Sequence, residues 1–144
     1  MNVERTILIS ARPERVWQAW IEEINQWWTE PYYNDKERVT GLEFEPRLGG
    51  RFMEKWGEDG SGFLIGQVVE WLPPQRLAYT WSERTWGGVV THVSLDLQAE
   101  GQNTRLTLVH AGFERLPEGE KQRAGYDRGQ AELISRLKAY LERQ

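Results

Sequence analysis

Glu54 stands between Phe52 and Trp56 in an alternating run, so its carboxyl shares one face with two aromatic rings. Among apolar neighbours the charged form of a carboxyl is disfavoured unless it is paired. That placement suits a polar anchor for a ligand or a proton acceptor. The plain alternative is that strand twist carries Glu54 to solvent or to an arginine. His110 follows Leu106 and Leu108 on one face of another alternating run. It reads either as a general base near a cavity mouth or as a hydrogen-bonded core residue. Glu54 and His110 are the two candidate catalytic groups. His92 falls on the face opposite Thr91 and Val93 and reads as a surface residue. Gln130 shares an apolar helical stripe with Tyr126, Leu133 and Leu137. An amide there needs a partner, and a ligand would supply one.

Aromatic residues surround these groups. The chain has 8 Trp, 5 Tyr and 4 Phe, which implies either an aromatic core or an aromatic-lined cavity. Leu42 and Phe44 share a face, as do Leu77, Tyr79 and Trp81. Trp27, Trp28, Tyr32 and Tyr33 cluster where a helix gives way to a loop, and Trp28 is the better lid. Candidate ligand contacts are therefore Trp28, Phe44, Phe52, Glu54, Trp56, Tyr79, Trp81, His110, Tyr126, Gln130 and Leu133.

Other chemistries lack their residues. Two His and no Cys leave no zinc motif, so no metal and no cofactor are expected. There is no Gly-x-Ser-x-Gly elbow and no phosphate-binding loop. The segment from Gly57 to Gly62 lacks calcium-loop spacing and reads as a hairpin turn. A net charge of −4 argues against a nucleic-acid partner. No apolar run is long enough to span a membrane, and the first residues lack a signal-peptide layout. A soluble, cytoplasmic protein is expected. Its 144 residues form one domain over 1–144.

These side chains need positioning elements. Glu4 to Ser10 reads as a strand, with Ser10 as the cap and Pro13 in the first turn of the helix that follows. One helix or two short ones then end near Trp27-Trp28. Strands are expected over Val39 to Glu45, Arg51 to Trp56, Phe63 to Trp71, Gln75 to Ser82, Val89 to Ala99 and Thr104 to Ala111. Gly49-Gly50 is a turn that permits positive φ. Trp86 is expected to be exposed at a hairpin tip. From about Pro117 to Gln144, Leu133, Ile134, Leu137, Tyr140 and Leu141 make the stripe of one long helix. Gly125 and Gly129 in that helix each cost about 1 kcal/mol relative to Ala, so each needs a reason such as close packing or room for something. The class is α+β with an antiparallel sheet.

Several segments carry a resemblance. They are Ile9-Ser10-Ala11-Arg12-Pro13-Glu14-Arg15-Val16-Trp17, Trp27-Trp28, Arg47-Leu48-Gly49-Gly50-Arg51-Phe52, Gly66 to Trp81, Thr104 to Phe113, and Gly125-Tyr126. In order and spacing the chain resembles the START-like (SRPBCC) helix-grip superfamily. Within it, the chain is similar to the family named after the C-terminal domain of the activator of the heat-shock protein 90 ATPase. It departs from the family pattern at Tyr126, usually Trp, and at Gln130, often apolar. The resemblance implies a curved antiparallel sheet of about seven strands gripping a long C-terminal helix, with one or two short helices after the first strand. It also implies an apolar cavity between sheet and helix.

Three functions fit. The first is a binding protein for a small apolar or aromatic, lipid-like molecule held in that cavity, without committed catalysis. The second is an enzyme of cyclase, dehydratase or hydrolase type on the same scaffold. The third is a protein-interaction module, with Trp86 as its contact. The chaperone activator carries a separate chaperone-binding domain, and this chain has one domain's length, so a chaperone partner is not expected. Monomer and homodimer both remain open.

Overall fold

Alternation along the last strand shows how the sheet is built. Thr104, Leu106, Leu108 and His110 are buried, and the residues between them are more exposed. The computed structural model describes residues 1–143, so the expected helix end at Gln144 lies outside the described residues. The elements run β1 (Val3–Ile9), α1 (Pro13–Ile21), a 3-10 turn (Ile24–Gln26), β2 (Gly41–Phe44), β3 (Arg51–Lys55), β4 (Gly62–Leu72), β5 (Arg76–Trp81), β6 (Thr91–Glu100), β7 (Asn103–Ala111), a second 3-10 turn (Phe113–Arg115) and α2 (Gly119–Glu142). The fold is α+β. The seven strands form one antiparallel sheet in the order β1-β7-β6-β5-β4-β3-β2. The first strand thus pairs with the last, from Val3↔His110 to Ile9↔Thr104.

The sheet curls because its ladder is broken at chosen points. Register shifts fall between Phe52 and Met53 in β3 and between Val68 and Glu70 in β4. Such bulges bend a strand and increase its twist. Gly66 lies between them in the ladder, and a Cβ there would stand 1.8 Å from the Thr80 carbonyl oxygen. Only glycine permits that approach.

Capping differs from expectation in one place. Arg12, not Ser10, is the N-cap of α1, and its carbonyl accepts from Arg15 N and Val16 N. Pro13 at the first helical position fixes φ and needs no N–H partner, so the start moves two residues on. Ser10 instead donates its backbone N–H to Glu142 Oε2 at 2.9 Å, tying β1 to the end of α2. Gly49 has φ +78°, but Gly50 is required for space: a Cβ would lie 2.2 Å from the Glu45 carbonyl oxygen.

α2 packs on the sheet by the expected stripe. Leu133, Ile134, Leu137 and Leu141 are buried, and Tyr140 donates its hydroxyl to Glu23 Oε1 at 2.5 Å. Beneath lies an aromatic core. Phe44 and Phe52 stack at 3.9 Å, Tyr79 meets both edge-on, and Trp20 packs on Trp27 at 4.9 Å. Trp86 corrects the sequence reading. It is only 8% exposed, because the turn after β5 folds it onto the Tyr126 ring at 5.7 Å. It offers no contact for a partner. Among the described residues, no helix is long and apolar enough to cross a membrane.

Candidate functional site

Where the first half of α2 passes the sheet, the two do not close. They leave a pocket of about 490 Å³. Trp28, Ile65, Trp81, Tyr126 and Leu133 form its apolar walls, with Tyr32 and Tyr33 from the loop after the first 3-10 turn. Asn34, Glu54, Glu83 and Gln130 bring polar atoms to it. Lys121, Arg128 and Glu118 are exposed and form the rim. Of the residues singled out from the sequence, Trp28, Glu54, Trp81, Tyr126, Gln130 and Leu133 come together here. Phe44, Phe52 and Tyr79 lie in the aromatic core and His110 lies behind the wall. Trp56 faces elsewhere, beneath the guanidinium groups of Arg38 at 4.6 Å and Arg84 at 5.7 Å.

The walls are rigid. Trp28 stacks on Trp81 at 5.9 Å, and its indole N–H donates to the Tyr32 carbonyl at 2.8 Å. Trp28 is 4% exposed, which makes it a fixed wall and not a swinging lid. The Trp81 indole N–H donates to the Tyr126 hydroxyl at 2.9 Å, joining β5 to α2.

Glu54 reaches neither solvent nor an arginine. It is 1% exposed, and the loop from Tyr32 to Arg38 folds back over it. Its Oε1 accepts from Asn34 N at 2.6 Å. Its Oε2 accepts from Asp35 N at 2.8 Å and from Trp56 Nε1 at 2.7 Å. Three donors compensate its burial. Asn34 Oδ1 in turn accepts from Arg84 N at 3.1 Å, so Glu54 latches the loop that walls the pocket.

Glu83 is a pocket residue the sequence reading passed over. The signal was present, since Tyr79, Trp81 and Glu83 continue one alternation past the last paired residue of β5. Its carboxyl makes no hydrogen bond or ion pair among the described residues. Burial and then the nearby charge of Glu54 raise its pKa above the usual carboxylate range.

His110 is fully buried against Phe113 and Tyr126. The directions of its hydrogen bonds follow from a chain. The Thr91 hydroxyl donates to the Trp81 carbonyl at 3.1 Å, so Thr91 Oγ1 accepts from His110 Nε2–H at 2.7 Å. His110 Nδ1 is then the acceptor and takes the Gln130 Nε2–H at 2.9 Å. Burial pushes the imidazole pKa down to about 3. Both ring nitrogens are engaged within the protein, and the ring is neutral near pH 7. The chain ends at Gln130 Oε1, a buried acceptor with no partner.

The two helical glycines differ. A Cβ at Gly129 would lie 3.0 Å from Tyr32 Cε1, whereas a Cβ at Gly125 would meet nothing within 4 Å. Gly129 allows close packing, and Gly125 leaves pocket space. Among the described residues, no cluster of His, Asp and Glu could hold a metal ion.

Solved structures share this architecture. Protein MLL2253 from Mesorhizobium loti superposes with a TM-score of 0.78 at 22% identity, covering 100% of this chain and 98% of that one. The Aha1 dimer from Colwellia psychrerythraea gives 0.72 at 20% identity over 99% and 96%. The anthrahydroquino-γ-pyrone synthase Txn09, complexed with SUM, gives 0.63 at 24% identity over 96% and 95%. At such identities the likeness concerns the fold. A comparison with the curated proteins finds no match. The family model described as Activator of Hsp90 ATPase homolog 1-like protein matches residues 10–142, from the bend before α1 to the last turn of α2, and the chain belongs to that family.

Proposed function

We propose that the protein binds a small apolar or aromatic molecule in the pocket between the sheet and α2. The carrying observation is the pocket itself. Its volume of about 490 Å³ falls within the range of roughly 300–1,000 Å³ typical of small-molecule sites. Trp28, Tyr32, Tyr33, Trp81, Tyr126, Ile65 and Leu133 give the pocket an apolar, aromatic wall, and polar side chains such as Asn34, Glu83 and Gln122 would orient a ligand against it. Gly125 supports the reading, because a helix that only packed on the sheet would gain from alanine there.

Native mass spectrometry of gently purified protein, compared with its denatured mass, tests this. The expected result is a discrete non-covalent mass excess lost on denaturation, together with saturable quenching of tryptophan fluorescence by flat aromatic probes. No mass excess, and no quenching by either flat or lipid-like probes, would overturn it.

Glu83 favours a second reading, an enzyme of cyclase or dehydratase type. A carboxyl that keeps its proton to higher pH, near one that accepts three donors, is a common acid–base arrangement. The fold shared with a synthase supports it by analogy. Loss of water from a bound hydroxylated ring, seen by mass spectrometry and abolished in Glu83→Gln, is the result that reading requires.

A further inference from the structure

Glu83 lines the pocket and is only half-buried, so a ligand can reach it. Its backbone is pinned on both sides. Ser82 N donates to the Ile65 carbonyl at 2.8 Å, which carries the pairing of β5 with β4 one residue beyond Trp81. The Glu83 carbonyl accepts from Trp86 N at 3.0 Å, and Arg84 N donates to Asn34 Oδ1 at 3.1 Å. With the strand continued through Ser82, the Glu83 side chain falls on the face of Trp81. That is the face from which the Trp81 indole reaches Tyr126 of α2.

The carboxyl fixed in this way makes no hydrogen bond or ion pair among the described residues. Its neighbour Arg84 turns instead to Asp35 at 3.6 Å and to the Trp56 ring. Glu54 lies near enough for its negative charge to be felt at Glu83, and no cation of the protein offsets it there among the described residues. Lys121 and Arg128 stand exposed on the α2 rim. A carboxylate partly removed from water costs free energy unless it is paired, and a cation is the partner that matches it best. An anionic group brought to this end of the pocket would meet like charge. The aromatic walls select a ring, and their π faces attract a cation carried on it.

Resting on the binding reading above, the geometry points to an aromatic amine as the ligand of the pocket, seated with its ammonium N–H on the Glu83 carboxylate. The ring then lies among Trp28, Trp81 and Leu133, and the ion pair fixes its orientation.

Two matched probe sets test this by calorimetry on the full chain near neutral pH. One is tryptamine, 3-propylindole and indole-3-propionate. The other is 2-naphthylmethylamine, 2-ethylnaphthalene and 2-naphthylacetate. Each set keeps the ring and exchanges an ammonium for a methyl group or a carboxylate. The expected result is that the amine of at least one set binds roughly tenfold more tightly or better than its methyl counterpart, and that the carboxylate binds more weakly than the amine. In Glu83→Gln the preference for the amine should collapse while the methyl probe keeps its affinity. Equal affinities for amine and methyl probes in both sets would overturn the inference and leave the binding reading standing. Tighter binding of the carboxylates would overturn it too and assign the selecting charge to Lys121 and Arg128. A preference for the amine that survives Glu83→Gln would also overturn it. Binding of none of the six probes would overturn this inference, and the mass-excess measurement then decides the binding reading separately. Should Glu83→Gln fail to fold, the wild-type ratios still decide.

Discussion

His110 is held neutral by burial, and that makes it a source of pH-dependent stability. Its folded pKa is about 3, while an unfolded histidine titrates near 6.5. Between those values the unfolded chain binds a proton that the folded chain refuses. Stability is therefore full above about pH 6.5 and is lost as pH falls toward 3. Each pH unit within that window removes about 1.4 kcal/mol. Urea titrations from pH 6.5 to 5 should show this slope in the wild type and lack it in His110→Gln. Equal slopes would mean that His110 does not carry the effect. Glu83 titrates with the opposite sign, since its raised pKa makes the folded state hold its proton more firmly. Comparison with the variant cancels that contribution. Alternation along β3 and β7 put Glu54 and His110 on faces shared with apolar residues and read His110 as a core candidate, but it left open whether Glu54 reached solvent or an arginine. Their partners were not legible, because Asn34, Asp35, Thr91 and Gln130 come from other elements.

α2 has two jobs, and its glycines divide them. Replacing Gly125 by leucine should raise helix stability by roughly 0.8–1 kcal/mol, since nothing in the protein stands within 4 Å of the new Cβ. The same side chain would fill pocket volume and abolish probe binding. Gly129→Ala makes the opposite test. Its Cβ presses on Tyr32, which is held by Glu132 at 2.6 Å and lies under the Arg136 guanidinium at 5.2 Å. Gly129→Ala should be less stable than Gly125→Ala by about 1 kcal/mol. Thermal melts of both check this, and equal melting temperatures would contradict the packing argument. Further along, Leu137 is fully buried, and Leu137→Ala should cost about 2–5 kcal/mol in unfolding free energy. The apolar stripe of this helix could be read from spacing alone. Which glycine faces Tyr32 and which faces open space could not, because spacing says nothing of the neighbour opposite.

Taken whole, the molecule is a closed aromatic core with one unfilled end. A ligand that occupies the pocket only in the folded state must raise overall stability by mass action. At a free concentration one hundred times its dissociation constant the gain is about 2.7 kcal/mol. For a domain of this length that corresponds to a rise in melting temperature of roughly 5–10 °C. Differential scanning calorimetry with indole or 2-naphthol measures it. The same probes should leave Gly125→Leu unmoved. A rise of equal size in that variant would place the binding outside the pocket.

Residue types and their spacing were enough to determine the order of elements, the α+β class with an antiparallel sheet, the long C-terminal helix, and the inward faces of β3, β5 and β7. These are local matters of period and turn chemistry, and each segment carries them by itself. The curl of the sheet around that helix was implied only by the family resemblance. Spacing was equally enough to flag Gln130 as an amide without an obvious partner. The tertiary structure decided the rest. It divided the aromatic residues into a core around Phe44, Phe52 and Tyr79 and a pocket wall of Trp28, Trp81 and Tyr126. It buried Trp86, turned Glu54 into a loop latch, and placed His110 behind Gln130. Each outcome depends on which distant side chain arrives within hydrogen-bond or van der Waals reach. That is a property of the folded whole, because contacts between remote segments form only once the sheet has curled and α2 has docked.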